Sequence, residues 1–203
     1  MTDSPRALAV AVRPVALAWI AAAEDALRSY IGKKATFGRP DGLVVAALAT
    51  NFSLPSSRIP LRGAVTAARI AAMFARARIV IEDDTLLFDI ADEEATRLFP
   101  EGTPLPPAYA LFDRGVYFTS AFARFGSMCR AAMLVHESIH VIDAASGAPE
   151  AHVSEWDEPR FSAQSLEDSL HNPSAYASFA AQVHEGALTW PVAVRYGAGR
   201  PDT

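Results

Sequence analysis

Residues 131–142 read AAMLVHESIHVI, an apolar helical run carrying two histidines and a glutamate. Polar side chains are costly to bury in such a run unless something pairs with them. In an α-helix, residues four apart lie on one face, one turn above the other, so His136 and His140 direct two imidazoles at one point. Glu137 sits one position round, close enough to reach a water held at that point. This is the H-E-x-x-H spacing, which points to zinc. Zinc takes neutral imidazole nitrogens and makes its bound water acidic enough to supply hydroxide near neutral pH. Glu137 is then the group to take the proton from that water and pass it to a leaving amine. Chance gives such a pentamer in roughly 1% or less of chains of this length.

A catalytic zinc site needs a third protein ligand and an open position. The downstream candidates are His152, Glu155, Asp157, Glu158 and His171. The metzincin arrangement, with a histidine six residues after the second, is excluded because Ser146 stands there. His152 lies twelve residues on, matches no familiar spacing, and reads as a solvated loop residue. The acidic cluster of residues 154–161, SEWDEPRF, is the better source of a ligand.

Around this helix the chain changes texture twice. Residues 6–30, RALAVAVRPVALAWIAAAEDALRSY, read as an amphipathic helix, followed by a polar connection over 31–42. A short helix over 42–54 stops at LPSSRIP, and another follows over 63–78 with apolar residues recurring at three and four. Residues 78–90, RIVIEDDTLLFDI, suggest a hairpin with a strand on each side of EDD. ADEEATRLF is a short helical turn and FPEGTPLPP a loop. AYALFDRGVYFT, residues 108–119, gives two strands around Asp113-Arg114-Gly115. In the helical stretch after them, Gly126 predicts a break and Gly147 a C-terminal cap. A short helix, a break at Asn172-Pro173 and a longer amphipathic helix follow, and the tail from Tyr196 reads as frayed.

The bulk numbers narrow the function classes. The chain has 203 residues, 51% hydrophobic and 20% charged, which is ordinary globular composition. The net charge of -5 comes without a dense Lys/Arg cluster, which argues against nucleic acid and anionic membrane as partners. The one cysteine, Cys129, reads as a small buried hydrophobe, and no internal disulfide can form. Arg13 and Pro14 split the N-terminal apolar stretch, Asp3 stands where a basic region belongs, and no run reaches the roughly 18 apolar residues of a membrane span. A cytoplasmic location, or export by a route that reads no N-terminal signal, is therefore expected.

Residues 116–140, VYFTSAFARFGSMCRAAMLVHESIH, resemble the segment leading through the zinc helix of the aspzincin metallopeptidases, the deuterolysin and peptidyl-Lys metalloendopeptidase family. Asn172-Pro173-Ser174-Ala175-Tyr176-Ala177-Ser178-Phe179 is similar to that family's closing Asn-Ala-Asp-x-Tyr-x-x-Phe signature. The likeness spans residues 43 to 185. It implies that His136 and His140 are zinc ligands and Glu137 the catalytic glutamate. It also implies a third carboxylate ligand, best matched by Glu158 in Glu158-Pro159-Arg160-Phe161, with Asp157 the close alternative. Two departures stand out. The family tyrosine that stabilises the oxyanion falls on Phe161, so Tyr176 is the candidate donor. The fungal disulfide framework is missing, with Thr119 where one cysteine is expected.

The expectation is one α+β zincin-like domain over residues 1–203, mostly helical with a small sheet beside the H-E-x-x-H helix. Within it, residues 1–40 form the N-terminal helix and connection, 41–196 the metallopeptidase core and 197–203 a frayed tail. The expected function is zinc-dependent hydrolysis of a peptide or protein substrate, with zinc on His136, His140 and Glu158 and with Glu137 and Tyr176 as catalytic groups. The alternatives are a non-catalytic zincin-like binding module, which Phe161 favours, and a peptidase effector or toxin delivered without a signal peptide. Tyr117 and Phe118 are expected on a strand that either packs in the core or receives substrate at its edge. Trp156 reads either as lining a substrate pocket or as a loop aromatic covering the core, His171 as a turn residue, and His184 and Glu185 as a solvated face.

Overall fold

The computed structural model describes residues 3–54, 60–111, 114–146, 152–191 and 195–196. Asp113, Gly147 and the tail 197–203, on which sequence expectations fall, lie outside the described residues. Helix α1 (Pro5–Ala35) begins where Ser4 caps it, its hydroxyl accepting the Ala7 N–H at 3.2 Å, with Pro5 in the first turn. Its buried residues, Ala9, Val12, Ala16, Trp19, Ile20, Ala23, Leu27 and Tyr30, recur at three and four and form one stripe. That stripe packs against α3 (Pro60–Glu82), α5 (Ser127–Ser146) and α8 (Pro173–Glu185). By length and composition α1 is apolar enough to cross a membrane; here its apolar stripe forms the middle of the core.

Pro14 sits inside α1, where it forfeits one backbone hydrogen bond. The helix runs on through it, with its first half tied down by two arginines. Arg6 donates from its backbone N–H to Asp89 Oδ1 at 2.6 Å and from Nε to the Leu87 carbonyl at 2.8 Å. Arg13 pairs with Asp84. These bonds cover the outer side of strand β1 (Leu87–Asp89), which would otherwise present an open sheet edge.

The sheet is mixed and three-stranded, in the order β1-β3-β2. Strand β2 (Ala108–Leu111) and strand β3 (Gly115–Phe118) form the antiparallel pair expected from AYALFDRGVYFT, with Tyr109 opposite Tyr117. Strand β1 runs parallel to β3, with Phe88 opposite Tyr117. The expected hairpin over 78–90 is not formed. Residues 78–82 are the last turn of α3, a 3-10 turn follows over Asp84–Leu86, and within 78–90 only Leu87–Asp89 form a strand. Packing outweighs the β-branched preference of Ile79-Val80-Ile81: Val80 and Ile81 are buried on the helix, Ile79 faces solvent, and Arg78 pairs with Glu24 on α1.

Helix α5 is the shared element, packing against α1, α3 and α8 and also against β2 and β3. Before it, Gly126 marks the expected break, separating a 3-10 turn over Ser120–Arg124 from the helix. Helix α2 (Gly42–Phe52) ends where Ser53 turns left-handed, and it packs against α8. Short helices α4 (Asp92–Thr96), α6 (Glu158–Ser162) and α7 (Leu166–Leu170) complete the chain. The break before α8 falls at Asn172-Pro173, as its sequence predicts: Asn172 caps the helix and Pro173 occupies its first turn. Gly186, in the left-handed region, ends it.

Candidate metal centre

The helical period of α5 brings His136 and His140 together, with ring centroids 4.7 Å apart and their Nε2 atoms 3.0 Å apart. Two nitrogens thus face one point. A third ring joins them, and it is His152, from the loop between α5 and α6. Its centroid lies 5.3 Å from both others, and its plane is within 5° of that of His140. One ligand nitrogen from each of the three falls within 4.8 Å of the other two. His152 is exposed, so the group opens to solvent on its side.

Burial holds the His136 imidazole well below its ordinary pKa, and the neighbouring charges of His140 and His152 push the same way. A neutral ring with a free lone pair is the ligand form of histidine. Ser174, in the first turn of α8, places its hydroxyl 3.3 Å from His136 Nδ1, which leaves Nε2 for the shared point. Asp143, one turn beyond His140, is buried and faces His171, whose Nδ1 is 4.0 Å away; Glu167 lies 3.4 Å from the other nitrogen of that ring. No motif spacing in the sequence singles out Asp143.

The acidic loop does not deliver the third side chain as expected. Glu158 lies at the start of α6, half exposed, with its carboxylate 4.0 Å from Arg195 and outside the histidine group. Asp157 stands at the N-cap position of the same helix without a side-chain capping bond, its carboxylate 3.5 Å from Arg160. Both carboxylates, at the start of α6, have arginines as neighbours, and neither belongs to the histidine group. Tyr176 is also redirected. It is 2% exposed, its hydroxyl donates to the Leu170 carbonyl at 2.9 Å, and its ring meets Phe52 and Phe74 edge-on, so it is a core residue. Phe161 is buried beneath the Arg195 guanidinium, 5.3 Å from its ring centre.

A cavity of about 460 Å³ opens beside the histidines. Cys129, Ala132, Met133, His136 and Glu137 line it at spacings of three, four and one, all on one face of α5. Pro106, Pro107 and Ala108 approach from the start of β2, and Trp156 and Tyr196 close another side. Glu137 is 8% exposed and lies in this cavity, one position round from His136. The sheet edge near the site is therefore β2; β3, with Tyr117 and Phe118, is the central strand.

Tyr196, at the head of the stretch expected to fray, is 3% exposed and stacks on Trp19 with centroids 6.0 Å apart. Its hydroxyl donates to Glu155 Oε1 at 2.9 Å. Burial raises its pKa well above the ordinary value, and the Glu155 charge adds to the rise, so the hydroxyl keeps its proton. Arg195, buried, donates to the carbonyls of Trp190 and Glu155 and so clasps the loop that follows His152. No local signal marks these roles: the Arg-Tyr pair sits among glycines and small residues. His152 is one of the third-ligand candidates in the sequence, but its spacing of twelve residues gives no sign that it reaches the pair.

No family model matches this chain, and no curated protein matches it in sequence. Among solved structures, a zinc peptidase from Grifola frondosa is similar over 89% of this chain and 96% of its own length, with a TM-score of 0.59 and 14% identity. At that identity the likeness speaks for the fold alone, and the fold is an α+β, zincin-like one: mostly helical, with a small sheet against the H-E-x-x-H helix.

Proposed function

We propose that this protein is a zinc-dependent peptidase whose metal is held by His136, His140 and His152, with Glu137 as general base and then general acid. The observation that carries the reading is the convergence of three histidine nitrogens within 4.8 Å beside a glutamate in an open cavity. The donor set fits the metal: three imidazoles with an open side make up the ligand number of a catalytic zinc site, and the buried ring is held neutral. A bound zinc ion would supply Lewis acidity and an acidified water.

The residues divide the work. Ser174 engages Nδ1 of His136 and so holds the tilt of the ring with Nε2 turned to the shared point. Glu137 accepts a proton at its carboxylate and returns it to the departing amine. The apolar wall formed by Ala132, Met133, Phe125 and Trp156 excludes water and takes up an apolar substrate side chain beside the cleaved bond. Pro106 and Pro107 have no N–H and their carbonyls accept from Thr119, so the backbone offered to an extended peptide is that of the edge strand β2 itself, Ala108–Leu111.

A metal-binding module without hydrolysis is the second reading. It is favoured by Phe161, which has no hydroxyl, and by Tyr176, whose hydroxyl is engaged in the core. Metal analysis and peptide hydrolysis on purified protein, alongside Glu137→Gln, separate the two. A peptidase retains zinc in the variant and loses roughly 10²–10⁴-fold in rate. Stoichiometric zinc without cleavage by the unaltered protein supports the module, and an unchanged rate in the variant removes Glu137 from the mechanism.

A further inference from the structure

We infer that Asn172 is the positioning residue that assembles the histidine group, holding the His152 loop and the His136 partner together through one buried carboxamide. The inference rests on the metal-centre reading above for its importance, but its geometry stands independently. Asn172 is fully buried between α7 and α8. Its Oδ1 accepts the Ser174 N–H at 3.1 Å, which caps α8 and places the Ser174 hydroxyl 3.3 Å from His136 Nδ1. Its Nδ2 donates twice, to the Val153 carbonyl at 2.7 Å and to Gln164 Oε1 at 2.8 Å. Val153 adjoins His152.

Every polar atom of this side chain is therefore committed, and the commitments run to both ends of the site. His136 and His140 are brought to one face by helix geometry, so Asn172 bears on them only through Ser174. His152 comes from a loop and is exposed, so its place depends on what grips its neighbours. The Val153 bond grips it from one side. On the far side, Gln164 Nε2 donates to the Phe161 carbonyl, and the Gln164 carbonyl accepts from the Ser53 hydroxyl at 2.8 Å. The anchor of the loop is thus itself pinned to the end of α2. Outer partners that orient ligands typically change metal affinity by roughly 10–100-fold when lost.

The discriminating variant is Asn172→Asp. Aspartate keeps an oxygen for the Ser174 N–H, so the cap on α8 survives, but it has no N–H for Val153 and turns an oxygen toward that carbonyl. Zinc affinity is measured by chelator competition. Ring-proton contacts between His152 and the other two histidines are measured by NMR on metal-free protein. The expected result is a zinc dissociation constant raised roughly 10–100-fold and loss of the His152 ring contacts, with Tyr176→Phe, a nearby core change, altering neither. Unchanged affinity together with retained ring contacts in Asn172→Asp would overturn the inference. If unaltered protein binds no zinc, the metal reading fails while the ring contacts still decide: retained in the variant, they refute the positioning role, and lost, they support it. Should Asn172→Asp fail to fold, Asn172→Ser, which also caps but is too short to reach Val153, is read by the same two measurements.

Discussion

At the scale of single residues, the decisive property is where each polar atom is committed. The carboxylate of Glu158 faces Arg195, while the ring of His152 faces the helix histidines. Replacing His152 by alanine is therefore expected to weaken zinc binding by tenfold or more, while Glu158→Ala leaves it nearly unchanged. Titration of both variants with zinc decides between them, and the opposite order would restore the acidic loop as the ligand source. The Tyr176 hydroxyl is satisfied by the Leu170 carbonyl in the core. Tyr176→Phe should cost about 1 kcal/mol of stability in denaturant unfolding and leave peptide cleavage intact. A large loss of turnover with stability unchanged would return this hydroxyl to the reaction.

At the scale of elements, the hairpin β2-β3 depends on one backbone position. Gly115 has φ +116, and a Cβ there would lie 2.3 Å from the Leu86 carbonyl oxygen, in the turn that leads into β1. Glycine thus permits both the bend and the close approach of two segments. Gly115→Ala is expected to destabilise the protein by about 1–3 kcal/mol, read as a lowered midpoint in urea. An unshifted midpoint would mean that the turn relaxes without cost. The elements themselves were legible wherever one periodicity dominated, as in α1, α5, the hairpin and the Asn172-Pro173 break. Residues 78–82 misled because β-branched side chains also suit a helix end when two of three face the core and an arginine pairs across to α1.

At the scale of the whole molecule, α1, α3 and α8 pack against α5 while β2 and β3 lean on it as well, so the histidine-bearing helix is held by most of the fold. The cavity beside it takes its walls from α5, from the approach to β2, and from Trp156 and Tyr196. Peptides with Leu or Phe at the residue seated there are expected to be cleaved with kcat/KM roughly tenfold or more above their Gly counterparts. Assays over a matched peptide set test this, and equal rates, or a preference for acidic residues, would contradict an apolar wall.

The sequence by itself determined the local part of the centre. The helical period makes two histidines four apart share a face, and a glutamate between them follows the same rule, so HESIH was readable without coordinates. The third histidine was decided only by the tertiary structure. His152 is brought to the pair by contacts distant in sequence: the Asn172 carboxamide on Val153, the Arg195 guanidinium on the Glu155 carbonyl, and Tyr196 stacked on Trp19 from α1. Such bonds join segments whose separation carries no period. Nothing in the residues of a loop states which distant side chain will hold it.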